Sequence, residues 1–514
     1  MKKYLYLIAA IAATPLFGKI EMPKVFSDYM VLQRNENVNV WGTSEPNATV
    51  EVQFKGQKKS TKADDNGNWN VRLDKMPADK TPRQMTVFEN GEQGKQFGNV
   101  LVGEVWVLGG QSNMGWTVSG STGAKEALER AAENKDIRYF WQSPSAMAKN
   151  PRKDSPNNAH WETGKNAGHW SGVGYFFAEK INEKLGVPVG LVFAAQGATE
   201  MSCWVEKSAA LKNPAMKKIW EDFQKEAANY DEAAYQKACA DYKKFVADLA
   251  AENAQRKAKG LKEKKMPWDK KEPNKISPRP DFRSPVYKYN AMVSPLRGYT
   301  VRGAIWYQGE SDTKEPNATH FESQMKLVVS EWRKYFDNPE MPFIMAQLSS
   351  YSYGNEGWVK ARAAQLKTAN DVENVFTIPT IDRGMKLDIH PKDKTTVGVR
   401  MANMALSQVY GKKSIKPFAP QFKSAKYDGD TATVRLETYG VPLSLKGKER
   451  GFEVRANGKW SEAQAKLASG KLLVKSKDGA KVDGVRYLWK AYPQEEICIY
   501  NTEGLPLFPF SNEK

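Results

Sequence analysis

A chain of 514 residues is several times the size of a typical domain, so it can bury a large core and is expected to fold as more than one unit. Hydrophobic residues at 40% and charged residues at 26% exclude a disordered or low-complexity chain. The formal net charge of +18 would suggest a nucleic-acid partner, but the lysines are scattered, and the expectation is a solvated basic surface with no nucleic acid bound.

Residues 1–18, MKKYLYLIAAIAATPLFG, place Lys2 and Lys3 before an apolar stretch that ends near Ala13, followed by small residues and a proline. That is the pattern of a secretory signal peptide. The apolar run is shorter than the roughly 20 residues that cross a bilayer. No later segment is long and apolar enough either, so export to a periplasmic or extracellular location without an integral membrane span is expected. Cys203, Cys239 and Cys498 are odd in number and widely spaced, which implies neither a disulfide framework nor a zinc knuckle.

Residues 19–97 alternate in the manner of strands: Val38 and Val40, then Val50, Val52 and Phe54, then Trp69, Val71 and Leu73. A small β domain is expected, with Asn66-Gly67 as a hairpin turn. From 98 to 412 the period changes. Continuous apolar runs at Leu101–Leu108, Val187–Ala195, Val301–Tyr307, Pro342–Leu348 and Val375–Ile381 are separated by helix-like stretches. Buried parallel strands of an α/β layered fold have this texture.

Within that region, 205–280 reads as a lysine-rich helical insertion. The apolar positions from Met216 to Leu249 step by three or four, as one long amphipathic helix or two in a hairpin. Another amphipathic helix starts at Thr395 and stops at Gly411. Residues 413–514 return to β structure.

In parallel sheets, functional residues gather beyond the carboxyl ends of the strands. This rule selects Ser112, Gln196-Gly197, Gln308 with Glu310, and the 382–390 region. Gly109 and Gly110 let the chain turn sharply before Ser112, which is then either a nucleophile or a helix cap. Only four histidines exist, and His390 follows Asp388 by two positions in LDIHP. Such a carboxylate can hold the tautomer of a catalytic imidazole. Gln308 can donate to a developing oxyanion; Glu310 is the alternative acid beside a histidine.

In combination, GGQSNM at 109–114, AAQGATEMSCW at 194–204, RGAIWYQGESD at 302–312 and DIHPKDKTTVGVRMA at 388–402 resemble the ordered blocks of the sialate O-acetylesterase family. That family is a branch of the SGNH (GDSL-like) hydrolases. The flanking segments FSDYMVLQRNENVNVWGTSEPNATV and IYNTEGLPLFPF are similar too. The resemblance implies a flavodoxin-like α/β/α esterase domain flanked by small β domains, hydrolysing acetyl esters of carbohydrates without a metal or other cofactor. It assigns Ser112 as nucleophile, His390 as base and Asp388 as its partner. The amides of Ser112 and Gly197 and the Gln308 side chain form the implied oxyanion hole, and Asn113 has a supporting role. The broader superfamily places its acid three residues before the histidine and carries Asn where Gln308 stands, so Glu310 stays as the alternative acid.

Sialate is the first substrate class implied; acetylated xylan, xyloglucan and pectin are the others. A glycosidase using Glu310 and Asp388, and a non-catalytic carbohydrate-binding protein, are the competing readings. The first has no use for Ser112, and the second leaves the Ser112, Gln308 and His390 blocks without purpose.

Overall fold

A computed structural model describes residues 20–267, 283–468 and 471–513. The predicted signal segment and residues 268–280 of the predicted insertion lie outside the described residues. Strands form first where β-branched and aromatic residues alternate with polar ones. These are β1 (Val31–Gln33), β2 (Val38–Thr43), β3 (Thr49–Phe54), β4 (Gln57–Lys62), β5 (Asn68–Leu73) and β6 (Asp79–Glu89).

The turn at Asn66-Gly67 is not the hairpin the sequence suggests. β4 before it pairs with β3, and β5 after it pairs with β2, so it connects two sheets. The two-residue hairpin between β3 and β4 is Lys55-Gly56, with positive φ at both positions, as the twist of the flanking strands requires.

The next strand, β7 (Glu92–Gly110), has 19 residues. It pairs antiparallel with β6 at its start and parallel with the central sheet at its end. The boundary predicted at 97/98 therefore falls inside one unbroken strand. Buried residues of the N-terminal strands and of the central sheet accordingly belong to one continuous core.

The central sheet is completed by β8 (Ile137–Trp141), β9 (His160–Thr163), β10 (Val189–Ala195), β11 (Gly303–Tyr307), β12 (Phe343–Ala346) and β13 (Val375–Ile378). Its order is β13-β12-β11-β7-β10-β8-β9. All neighbours are parallel except the edge pair β8–β9. The five predicted apolar runs are the carboxyl half of β7 together with β10 to β13. β8 and β9 escaped the sequence reading because one carries Arg138 and the other has four residues.

Nine α-helices are described: α1 (Ser112–Gly115), α2 (Ala124–Glu133), α3 (Gly172–Leu185), α4 (Lys207–Ala210), α5 (Pro214–Ala228), α6 (Glu232–Ala258), α7 (Asn317–Tyr335), α8 (Glu356–Asp371) and α9 (Lys394–Gln408). α3 packs with α9, and α7 with α8. Phe177 of α3 meets Trp106 of β7 at 5.0 Å between rings, and Trp332 of α7 meets Trp306 of β11 at 5.1 Å. Trp106 is level with Gly303 and Trp306 is three residues on, so the two tryptophans stand on opposite faces of the sheet. Helices thus cover both faces, which is why β10, β11 and β12 are apolar along their whole length.

Among its described residues the stretch predicted as an insertion holds α4, α5 and α6, the last two capped by the side chains of Asn213 and Asp231. Tyr235 is the buried residue of α6, so most of that helix faces outward. From Gln421 to Glu513 the chain forms a seven-stranded antiparallel sheet with its own apolar core. The architecture is mixed α/β. Among the described residues, no helix is long and apolar enough to cross a membrane.

Candidate active site

The site lies at the carboxyl ends of β7, β10, β11 and β13. Gly109 and Gly110 are required at the end of β7. A Cβ on Gly110 would lie 2.2 Å from the Tyr307 carbonyl oxygen, and one on Gly109 would lie 2.4 Å from the Trp306 ring. Gly110 also has φ +129, which side-chain-bearing residues rarely adopt. The chain then turns into α1, whose first residue is Ser112. Its amide is among the first-turn N–H groups that have no acceptor inside their own helix.

The loop after β10 brings Gly197 against the serine. A Cβ there would sit 3.2 Å from Ser112 Cβ, so the absence of a side chain lets the loop approach. The loop after β13 brings His390, whose Nε2 lies 2.8 Å from Ser112 Oγ. On the other ring nitrogen, Nδ1 is 3.5 Å from Asp388 Oδ1. That carboxylate oxygen also accepts the His390 backbone N–H at 2.9 Å, which fixes the tight turn that D-x-H requires. Trp116 stacks on the imidazole with ring centres 5.2 Å apart.

Burial lowers the His390 pKa from its ordinary value; the Asp388 charge opposes this and the Lys394 charge adds to it. A lowered pKa leaves the imidazole free to accept a proton at neutral pH. Serine, imidazole and carboxylate in this order can carry nucleophilic acyl transfer.

Gln308 departs from the sequence reading. It is 1% exposed, and its amide nitrogen donates to the Thr199 carbonyl at 3.2 Å and to Asp312 Oδ2 at 3.1 Å. Both donor hydrogens are thereby spent on bracing the loop that carries Gly197, and no free donor faces an oxyanion. Glu310 also departs from its expected alternative role. Its carboxylate accepts from Asn113 Nδ2 at 2.5 Å, whereas the carboxylate at the imidazole is that of Asp388.

The family described as carbohydrate esterase, sialic acid-specific acetylesterase matches residues 102–238 and 264–407, more than half of the sequence. The chain belongs to that family.

As a carbohydrate esterase of this family, it has relatives along nearly its full length. Sialate O-acetylesterase of Mus musculus is 26% identical, over 98% of this chain and 96% of that protein. The Homo sapiens enzyme of the same name is 25% identical, over 94% and 90%. Among solved structures, a carbohydrate acetylesterase from Xanthomonas citri is 28% identical with a TM-score of 0.78, over 96% of this chain and 100% of that one.

Two residues of the candidate site carry no signal in the sequence. Lys394 reads as one more lysine of a basic chain, yet it is 1% exposed and donates to Asn113 Oδ1 at 2.5 Å. Trp116 reads as a loop aromatic, and only the return of the 388–390 loop makes it a platform for His390. Beneath the Gly197 loop Asp312 is buried and Glu200 half-buried beside it, and desolvation raises the pKa of both.

Proposed function

We propose that this esterase hydrolyses acetyl esters of O-acetylated carbohydrates, sialates first among them, through a serine acyl-enzyme on an SGNH-type flavodoxin-like scaffold flanked by β domains. The observation that carries the reading is the 2.8 Å contact between Ser112 Oγ and His390 Nε2, with Asp388 at the opposite ring nitrogen. In the first step, Nε2 takes the serine proton while Oγ bonds to the acetyl carbonyl carbon. The resulting oxyanion lies toward the amides of Ser112 and Gly197. Collapse breaks the bond to the sugar oxygen, which leaves with the proton returned by His390. In the second step, water gives a proton to the same nitrogen and attacks the acetyl-serine, and acetate departs as the serine regains its proton.

The Xanthomonas citri relative is a carbohydrate acetylesterase, and acetylated xylan, xyloglucan and pectin fragments are the second reading. The test is acetate release from a panel of O-acetylated sialosides and acetylated plant oligosaccharides by wild type and Ser112→Ala. Release by wild type and loss in the variant is expected; equal release by both would end the proposal. The composition of residues 1–18 supports export, and an N-terminus near Lys19 on protein recovered outside the cytoplasm is the expected result.

A further inference from the structure

Beneath the serine and histidine runs a buried chain of three side chains with an order that their chemistry dictates. Asn113 follows Ser112 in sequence, and Ile389 precedes His390. The Asn113 amide nitrogen donates to the Ile389 carbonyl at 3.0 Å and to the Glu310 carboxylate at 2.5 Å, and its oxygen accepts from Lys394 Nζ at 2.5 Å. One buried amide therefore ties the backbone beside the nucleophile to the backbone beside the base. An ammonium group can only donate and an ionised carboxylate can only accept, so the pair admits a single orientation of the amide between them.

Lys394 occupies a costly place for structural convenience alone. It is the first residue of α9, where the helix dipole disfavours a cation, and it is 1% exposed with a neutral amide as its hydrogen-bond partner. Its ammonium lies 5.4 Å from the centre of the Tyr307 ring and 5.8 Å from that of Trp116, the ring stacked on His390. A Cβ added to Gly172 of α3 would meet the Lys394 stem at 3.2 Å, so α3 closes the other side of the lysine. The charged groups that bear on Lys394 are Glu310 after β11 and Asp388 and Asp393 of its own loop, with Arg383 paired to Asp393. Those that bear on His390 are Asp388 and Lys394.

We propose that Lys394 is a positioning residue: with Glu310 it orients Asn113, which holds the His390 loop on Ser112. This inference rests on the assignment of Ser112 and His390 as nucleophile and base. The electrostatics agree in direction. The Lys394 charge disfavours a proton on His390, and burial brings Lys394 down to about 7 and raises Glu310, while the charge of each of these two opposes the shift of the other.

The test uses the full chain and two variants, Lys394→Met and Asn113→Asp. The first removes a positive charge near the imidazole; the second adds a negative charge and removes the donor to Ile389. Both changes favour the imidazolium, so in both variants the acid limb of the kcat/KM profile on 4-nitrophenyl acetate moves to higher pH, by roughly half a unit or more. At the optimum, kcat falls about tenfold or more while KM changes little. Acid limbs that superimpose on wild type in folded variants overturn the proposal, and if Lys394→Met does not fold, Asn113→Asp alone decides. A fluorophosphonate separates the two levels of inference. Wild type labelled at Ser112 with unmoved acid limbs removes the role of Lys394 only, whereas absence of labelling removes the serine mechanism and this inference with it.

Discussion

Ser112 and His390 are 278 positions apart in the chain and 2.8 Å apart at Oγ and Nε2. Two strand ends create this contact, because β7 and β13 finish at the same edge of a parallel sheet and each delivers one loop.

Residues that act as a unit lose their joint effect when any one is removed. Ser112→Ala and His390→Ala should each lower kcat by about 10⁴ or more, and the double variant should be no worse than either single one. Asp388→Asn should cost less, on the order of a hundredfold, because its contact with Nδ1 is 3.5 Å and its side chain is 40% exposed. Turnover of 4-nitrophenyl acetate by the four proteins measures these losses, and additive effects of Ser112 and His390 would contradict their assignment as one unit.

The pH dependence follows from the sign of the His390 shift. The proposed base must be unprotonated, and burial lowers the pKa of His390 from its ordinary value of about 6.5. Half-maximal kcat/KM on the acid side is therefore expected below pH 6.5. The Asp388 charge favours the imidazolium, so Asp388→Asn should move this limb to still lower pH. A limb above 6.5 in wild type would contradict the burial argument.

Gln308 distinguishes a brace from a catalyst. Gln308→Ala leaves the Thr199 carbonyl and Asp312 Oδ2 without their donor, at a cost of about 1–3 kcal/mol for each group left unsatisfied. Thermal and urea unfolding should show that loss directly. A variant with unchanged stability and a hundredfold lower kcat would instead identify the side chain as an oxyanion donor.

Arg362 offers a test of how the C-terminal sheet is attached. It is fully buried, and its guanidinium donates to the carbonyls of Leu348, Ser349, Lys490 and Ala491, bridging the loop after β12 to the C-terminal segment. Among the described residues no carboxylate is paired with it, and desolvation brings its pKa down to about 9. Arg362→Met should destabilise the protein by more than about 3 kcal/mol in urea unfolding, since four carbonyls lose a charged donor at once. A change below 1 kcal/mol would show that the bridge adds little.

Much of this was legible in advance wherever one residue type has one physical use. The pair Gly109-Gly110 signals a sharp turn, and the structure adds a close approach to Trp306 and the Tyr307 carbonyl that the sequence does not show. His390 stood out because histidine is scarce and a carboxylate lies two positions before it. β8 was missed because a strand with Arg138 inside it breaks the apolar pattern, although Arg138 is itself buried. Asn66-Gly67 was misread as a hairpin because the dipeptide reports a turn and not the partners of the strands on either side.

The sequence by itself determined the alternation of strands and helices, the four blocks of the site and their order, because periodicity and backbone-limited residues act over a few positions. Tertiary structure alone decided the long-range polar pairings. Asp388 rather than Glu310 faces the imidazole, Gln308 turns to Thr199 and Asp312, and Lys394 leaves solvent to meet Asn113. Each of these side chains is able to donate or accept toward several partners, and which one it reaches depends on where separate loops converge at the end of the sheet.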